Sequence, residues 1–255
     1  MRLAILLILC SLQAFPQLRK QPNFAFNKGE ILVFRIHYGI IDAGIATLEV
    51  INEEKKFGPR EVYHVVGTGI TNEFFDVFFK VRDRYETYID MEAIVPWLFI
   101  RRVDEGGYKI NQNVVFNQHK DEVKSSGGSF KVPDNIQDLL STYYYLRTLD
   151  FSKCKVGDTF KQEAFLDDEI HKFAYKYLGK ETVTTSLGTF RCLKFCPTLL
   201  KGRVFKSEED MVVWITDDLN KIPIRAEARI LVGSVKLDLK EYAGIRNPIS
   251  ELLTK

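Results

Sequence analysis

The chain has 255 residues, 45% of them hydrophobic, with 36 basic and 34 acidic side chains and a net charge of +2. This length suits one large domain or two smaller ones, and the charge balance excludes a long-range attraction to nucleic acid or anionic lipid. Phe and Tyr are abundant, at 19 and 11 residues, which favours sheet over helix.

Met1 and Arg2 precede an unbroken apolar run from Leu3 to Cys10, after which Ser11, Leu12, Gln13 and Ala14 turn polar and small. That is the layout of a secretory signal peptide, so residues 1–14 are read as a leader, cleaved after Ala14, of a periplasmic protein. The run falls short of the roughly 20 residues that span a bilayer, and no later run approaches that length. The protein is therefore read as not membrane-spanning. Leu9 stands where a lipidated cysteine needs a small neighbour, which argues against an anchor at Cys10. The net charge falls by one when Arg2 leaves with the leader.

Alternation of period two follows. Leu32, Phe34, Ile36 and Tyr38 share one face, as do Ala46, Leu48 and Val50. Residues 61–70 and 81–89 continue the pattern, and residues 97–104 lead through Glu105, Gly106 and Gly107, a hairpin turn, into residues 108–117. Residues 71–79 interrupt as a short helix carrying Phe74, Phe75, Phe78 and Phe79. Residues 125–129, rich in Ser and Gly, read as a loop between the β-rich first half and a second helix. Pro133, Asp134 as N-cap and Gln137 at the third helical position predict where that helix starts. Ile136, Leu139, Leu140 and Tyr143 make its apolar stripe, Leu146 and Leu149 broaden it, and Arg147 suits its C-terminal dipole. Later, Ile222, Ile224, Ala226, Ala228 and Ile230 alternate with Arg225, Glu227 and Arg229, and Gly233 and Ser234 turn the chain into residues 235–239.

One buried and one wet face per strand indicates antiparallel sheet. The fold expected is mainly β. It is a large, strongly curved antiparallel sheet, an open or partly closed barrel, with two short helices packed against it. Residues 24–245 are expected to form one exported domain, and a two-layer sandwich is the alternative.

No motif for catalysis stands out. His37, His64, His119 and His171 are scattered, with no paired metal-ligand spacing, so neither metal nor cofactor is expected. Cys154, Cys192 and Cys196 remain after the leader; the last two are too far apart on a strand to bridge each other, and the three read as small buried hydrophobes, with a bridge from Cys154 to Cys192 or Cys196 as the alternative. Asp167, Asp168 and Glu169 read as a solvated hairpin tip, and Asp217, Asp218, Leu219, Asn220 and Lys221 as a turn. Of Arg101 and Arg102, neighbours on a strand, one must face the apolar side. It then pairs with Asp83, Glu86, Asp104 or Glu105, or awaits an anionic headgroup.

Several segments carry a resemblance: residues 26–30 and 43–46, residues 79–85, Pro96 and Trp97 with residues 101–107, residues 202–205, and residues 214–225. Together they resemble a bacterial family catalogued as a domain of unknown function (number 3108), in the version common in Bacteroidetes, over nearly all of the mature chain. The resemblance implies an exported β-rich protein and transfers no catalytic residue. The hairpin over residues 214–225 also bears a fainter likeness to LolA/LolB-type lipoprotein carriers, which hold acyl chains in a half-barrel closed by helices.

The function expected is non-catalytic binding of a lipid-like or amphipathic small molecule, with Phe75, Phe79, Trp97, Phe99, Arg101, Tyr144 and Trp214 as the binding residues. Two alternatives stand beside it. One is an envelope assembly factor that pairs with a partner protein through its sheet edges. The other is a glycan-acting enzyme using Asp83 with Glu86, or Asp104 with Glu105.

Overall fold

The alternating segments become strands, and the chain turns back on itself after nearly every one. A computed structural model describes residues 18–198, 211–229, 233–249 and 251–252. The expected leader, Cys10, the resembling residues 202–205 and Ile230 lie outside them. The strands are β1 (Ile31–Tyr38), β2 (Ile41–Val50), β3 (Lys55–Phe57), β4 (Arg60–Thr71), β5 (Arg82–Asp90), β6 (Pro96–Glu105), β7 (Tyr108–Asn117), β8 (Glu122–Ser125) and β9 (Gly128–Lys131). After them come β10 (Thr159–Leu166), β11 (Glu169–Thr185), β12 (Gly188–Pro197), β13 (Met211–Thr216), β14 (Pro223–Arg229), β15 (Ser234–Ala243) and β16 (Glu251–Leu252). Two helices are described, α1 (Glu73–Asp76) and α2 (Leu139–Arg147).

All strands join one antiparallel sheet in the order β10-β11-β12-β13-β14-β15-β1-β2-β4-β5-β6-β7-β8-β9, with β3 on β4 and β16 on β12. Strand β1 is the hinge of two meanders, pairing β2 on one side and β15 on the other. Register shifts after Val33, Ile36, Tyr177, Trp214 and Tyr88 bend the ladder. The sheet curls until its two ends face each other without closing. The Phe130 ring of β9 lies 5.2 Å from the Phe165 ring of β10. Between those ends runs the segment before α2, where Gln137 N donates to Glu163 O (3.1 Å) and Phe165 N to Gln137 O (2.8 Å). Gln137 thereby forms a short parallel bridge with Ala164 along the outer edge of β10.

That bridge explains why α2 starts later than the sequence predicts. Asn135 is in the left-handed region (φ 57°), and Gln137 is taken up by the sheet edge, so Asp134 cannot cap a helix. The cap is Asp138, whose carboxylate accepts from Ser141 N while the Ser141 hydroxyl accepts from Asp138 N. The turn at Ser125 to Gly128 likewise is not a loop before a helix but the hairpin joining β8 to β9.

Helix α2 runs through the curl. Tyr144 is fully buried against Phe26 (rings 4.7 Å apart), Tyr63 and Ile89. Gly67 of β4 leaves room for Leu140, because a Cβ there would sit 3.2 Å from Leu48 and 3.4 Å from Leu140. The end of α2 is anchored by Arg147, which donates to both carboxylate oxygens of Glu30, with the two side chains 1% and 0% exposed. Its Nε donates to Asn220 O (2.9 Å) and Nη2 to Ala25 O (3.3 Å). Burial works against the Arg147 charge, but Tyr143 and Glu30 outweigh it and raise its pKa. Four parts of the chain thus meet at one guanidinium.

Helix α1 lies at one end of the sheet. It has four residues, capped by Asn72 and tied to the start of β2 through Asn72 N to Ala43 O (2.9 Å), and no residue of it is buried. One short turn offers no face wide enough to reach the interior past β2 and β4.

Two outcomes test this reading. Glu30→Gln should lower unfolding free energy by about 3–5 kcal/mol in urea titration, since it leaves a buried cation without its counter-charge. Arg147→Met should cost at least as much, because the carbonyls of Asn220 and Ala25 lose their donor as well. The second outcome concerns Asp138. Burial pushes its carboxyl from 3.8 up to about 6, against the hydrogen bonds from Ser141 and Thr87 that favour the ionised form. The folded chain holds this proton more tightly than the unfolded chain, so folding takes up a proton between those two values. Stability of the native sequence relative to Asp138→Asn should therefore fall as pH rises from about 4 to about 6 and level off above, by roughly 3 kcal/mol in all.

Candidate functional site

A half-open cavity of about 160 Å³ lies between α2 and the strands from β10 to β14. One wall is the α2 face made by Leu139, Tyr143, Leu146 and Arg147, which sit at helical positions i, i+4, i+7 and i+8. The other wall crosses several strands in register. Tyr175 stands opposite Pro197, Phe195 opposite Val213, and Ile215 opposite Pro223, with Phe160 of β10 closing one side. Phe160 and Phe195 are half of an aromatic group with Phe151 and Tyr177, which holds that wall rigid. Nearly all of the surface facing the cavity is carbon. The charged exceptions are Arg147 and Lys221, the latter half-buried at the end of the β13–β14 turn, where burial, then the nearby Arg147, lowers its pKa below 10.5.

None of the seven residues chosen from the sequence lines this cavity, and the structure does not bring them to one place. Phe75 and Phe79 sit at the α1 end of the sheet, where the Phe79 ring covers the turn glycine Gly106 (φ 57°); a Cβ there would come within 2.6 Å of the ring. Trp97 donates from Nε1 to Asp90 Oδ2 (3.1 Å) and lies 5.6 Å from the His119 ring. Phe99 is core, packed with Val114, Phe116 and Val123. Tyr144 fills the core beneath α2. Trp214 donates to Glu181 Oε2 (3.1 Å) under the Lys194 ammonium and belongs to a further cluster with Phe34 and Ile224.

Arg101 is the buried one of the two adjacent arginines, and its partner is none of the four carboxylates expected. Its Nη1 donates to Asp167 Oδ1 (2.8 Å) from the β10–β11 turn, while Ser125 of β8 donates to Asp168 Oδ1 (2.5 Å). The acidic turn is thus more than a solvated tip. It clasps the far end of the sheet across the seam. The carboxylate pairs expected for acid–base work are split, since residues three apart or adjacent on a strand point to opposite faces. Glu86 turns to His64 Nε2 (2.8 Å) and Arg84 Nε (2.8 Å), whereas Asp83 approaches Glu105, whose pKa is raised by burial and by that neighbour. Cys154 and Cys192 are free thiols, and burial pushes Cys192 up to about 12, which favours its protonated form. Among the described residues no group of three or more His, Cys, Asp or Glu is placed to hold a metal ion, and no helix is long and apolar enough to cross a membrane.

A second feature is an exposed apolar cluster at the α1 end. It comprises Ile40, Ile41, Ile45, Ile70, Phe74 and Phe78, with Ile40 94% and Phe78 72% exposed. Ile45 and Ile70 are direct partners across β2 and β4, and the Phe74 and Phe78 rings meet at 5.5 Å.

The family described as protein of unknown function (DUF3108) matches residues 33–240. No curated protein matches the chain. Among solved structures, the chain is similar to a β-barrel-like protein of domain of unknown function DUF1849 from Brucella abortus, with a TM-score of 0.58 and 11% identity over 86% of this chain and 99% of that one. That likeness shows a barrel-like fold. Two other solved chains align with TM-scores of 0.39 and 0.38, at 12% and 11% identity, each over 88% of this chain and 100% and 99% of their own. The first is a protein provisionally described as a lipoprotein, from Parabacteroides distasonis, and the second a protein provisionally described as exported, with a YmcC-like fold, from Bacteroides fragilis.

The seam is open to test. Asp167→Ala removes the counter-charge of the buried Arg101 and should speed amide hydrogen exchange in β8, β9 and β10 while leaving β1 and β15 protected. The expected loss of global stability is about 1–3 kcal/mol, below that of a fully buried pair because Asp167 stays partly in water.

Proposed function

The chain belongs to the DUF3108 family, and we propose that it is an exported, periplasmic protein that binds a lipid-like or amphipathic small molecule, with residues 24–245 acting as one unit. The charged, apolar and small-residue layout of residues 1–14 supports export. The observation that carries the binding reading is the carbon-lined cavity between α2 and the sheet. At about 160 Å³ it matches in size an apolar cavity of roughly 150 Å³ that holds a benzene molecule, so it suits one ring or a short length of acyl chain rather than a whole lipid. Its mouth leaves the rest of a longer ligand outside. Six buried methylenes contribute about 5 kcal/mol before the cost of immobilisation, which limits the affinity of a medium-chain ligand to about 0.2 mM at best and places it in the millimolar range once that cost is met.

The exposed apolar cluster at the α1 end favours a second reading, contact with an envelope partner protein. Edge pairing through β10 does not support it, since Gln137 already occupies that edge. A photocrosslinker at Phe78 in intact cells would capture one discrete product if that reading holds.

Binding is checked with octanol by calorimetry. The native sequence should bind it within the stated range. Val213→Phe, which enlarges the sheet wall beside Phe195 and fills the cavity, should weaken it at least tenfold while circular dichroism shows the fold intact. Equal binding by both proteins, or by neither, removes the cavity as the site.

A further inference from the structure

We infer that the ligand is an anionic amphiphile whose carboxylate-type headgroup pairs with the Lys221 ammonium while its apolar part lies between α2 and the sheet. This rests on the cavity reading and adds a charge to the ligand that reading leaves open.

The two cations of the lining are in different states. Arg147 is neutralised, with Glu30 accepting from Nη1 and Nη2 and the carbonyls of Asn220 and Ala25 taking further N–H groups. It cannot turn to a ligand without stranding the buried Glu30. Lys221 has no such partner. Asp218 and Asp150 act on it only at a distance, and no carboxylate among the described residues pairs with its ammonium. The Oδ1 of Asp218 accepts from Asn220 N (2.9 Å), Lys221 N (3.2 Å) and the Thr216 hydroxyl (2.7 Å). Those bonds fix the turn, with Lys221 in the left-handed region (φ 50°), and so set the direction in which its side chain leaves the backbone.

The site therefore presents one uncompensated positive charge at the edge of a carbon-lined hollow. Half-buried, that charge has lost part of its water and meets the field of Arg147 behind it. A ligand amine would add a third cation. A neutral alcohol would leave the ammonium as it is. An anion restores its counter-charge, and in a partly dry site such a charge-assisted contact is stronger than at the surface. The same logic orients the ligand, headgroup at the β13–β14 turn and tail toward Phe160 and Tyr175.

The test compares octanoate, octanol and octylamine on the full chain by calorimetry, with Lys221→Met, Lys221→Gln and Lys221→Arg beside the native sequence. The native protein should bind octanoate at least tenfold tighter than octylamine. Lys221→Met and Lys221→Gln should remove that preference while leaving octanol within about twofold, and Lys221→Arg should retain it. Added salt should narrow the preference in the native protein and in Lys221→Arg. Octanol binding without an octanoate preference, or a preference that survives both charge-removing variants, overturns the headgroup assignment and leaves the cavity reading intact. Failure of all three ligands to bind overturns the cavity reading and this inference with it.

Discussion

The structure depends on the contact between Arg147 and Glu30. Two opposite charges are withdrawn from water at the centre of a curled sheet, and only their mutual contact and the surrounding carbonyls make that tolerable. Satisfying it requires the end of α2, the start of β1, the segment at Ala25 and the β13–β14 turn to arrive at one point. Asn220, whose carbonyl Arg147 takes, extends the network by donating from its side chain to Asn247 O (2.9 Å) and accepting from Asn247 N (2.9 Å). The last part of the sheet is thereby tied to the first. Because α2 is pinned at this end and capped inside the core by Asp138 at the other, its Leu139, Tyr143 and Leu146 face is held at a set distance from β12 and β13. The hollow between them follows from how the helix is anchored.

Much of the fold is legible in the sequence because period-two alternation survives wherever one strand face is wet. The opening strand, the hairpin at Gly106 and Gly107, and the final pair around Gly233 all emerge in that way. What was illegible depends on contacts distant along the chain. Asp134 and Gln137 look like a capping box, but Gln137 is claimed by β10, nearly 30 residues on. Arg101 looks as if it should pair nearby, yet its carboxylate is 66 residues away across the seam. Phe75 and Phe79 read as binding residues by type, but α1 is four residues long with none of them buried, and both rings stay at one end of the sheet, away from the cavity.

The candidate site illustrates the same limit more sharply. Selecting large aromatic residues by type found Phe99, Tyr144 and Trp214, which are structural, because the largest rings are also the best core fillers. The stripe Leu139, Tyr143 and Leu146 was visible as one helical face, and half of the cavity wall was therefore on view in the sequence. The other half, Tyr175 with Pro197 and Phe195 with Val213, is assembled by strand register, which no local pattern reveals. Lys221 carries no signal in the sequence, since a lysine at the end of an Asp- and Asn-rich turn is ordinary until the residue is seen to line a carbon-walled hollow.

The place of β1 between β2 and β15 also governs how the molecule is made. Each meander is built from neighbours along the chain, so either arm can zip up hairpin by hairpin as it is synthesised. The joint cannot. Ile31 waits for Ala243, more than 200 residues later, before the middle of the sheet has both its partners. Until then β1 is a bare edge, and this closure carries the largest loop-closure entropy of any strand pairing among the described residues.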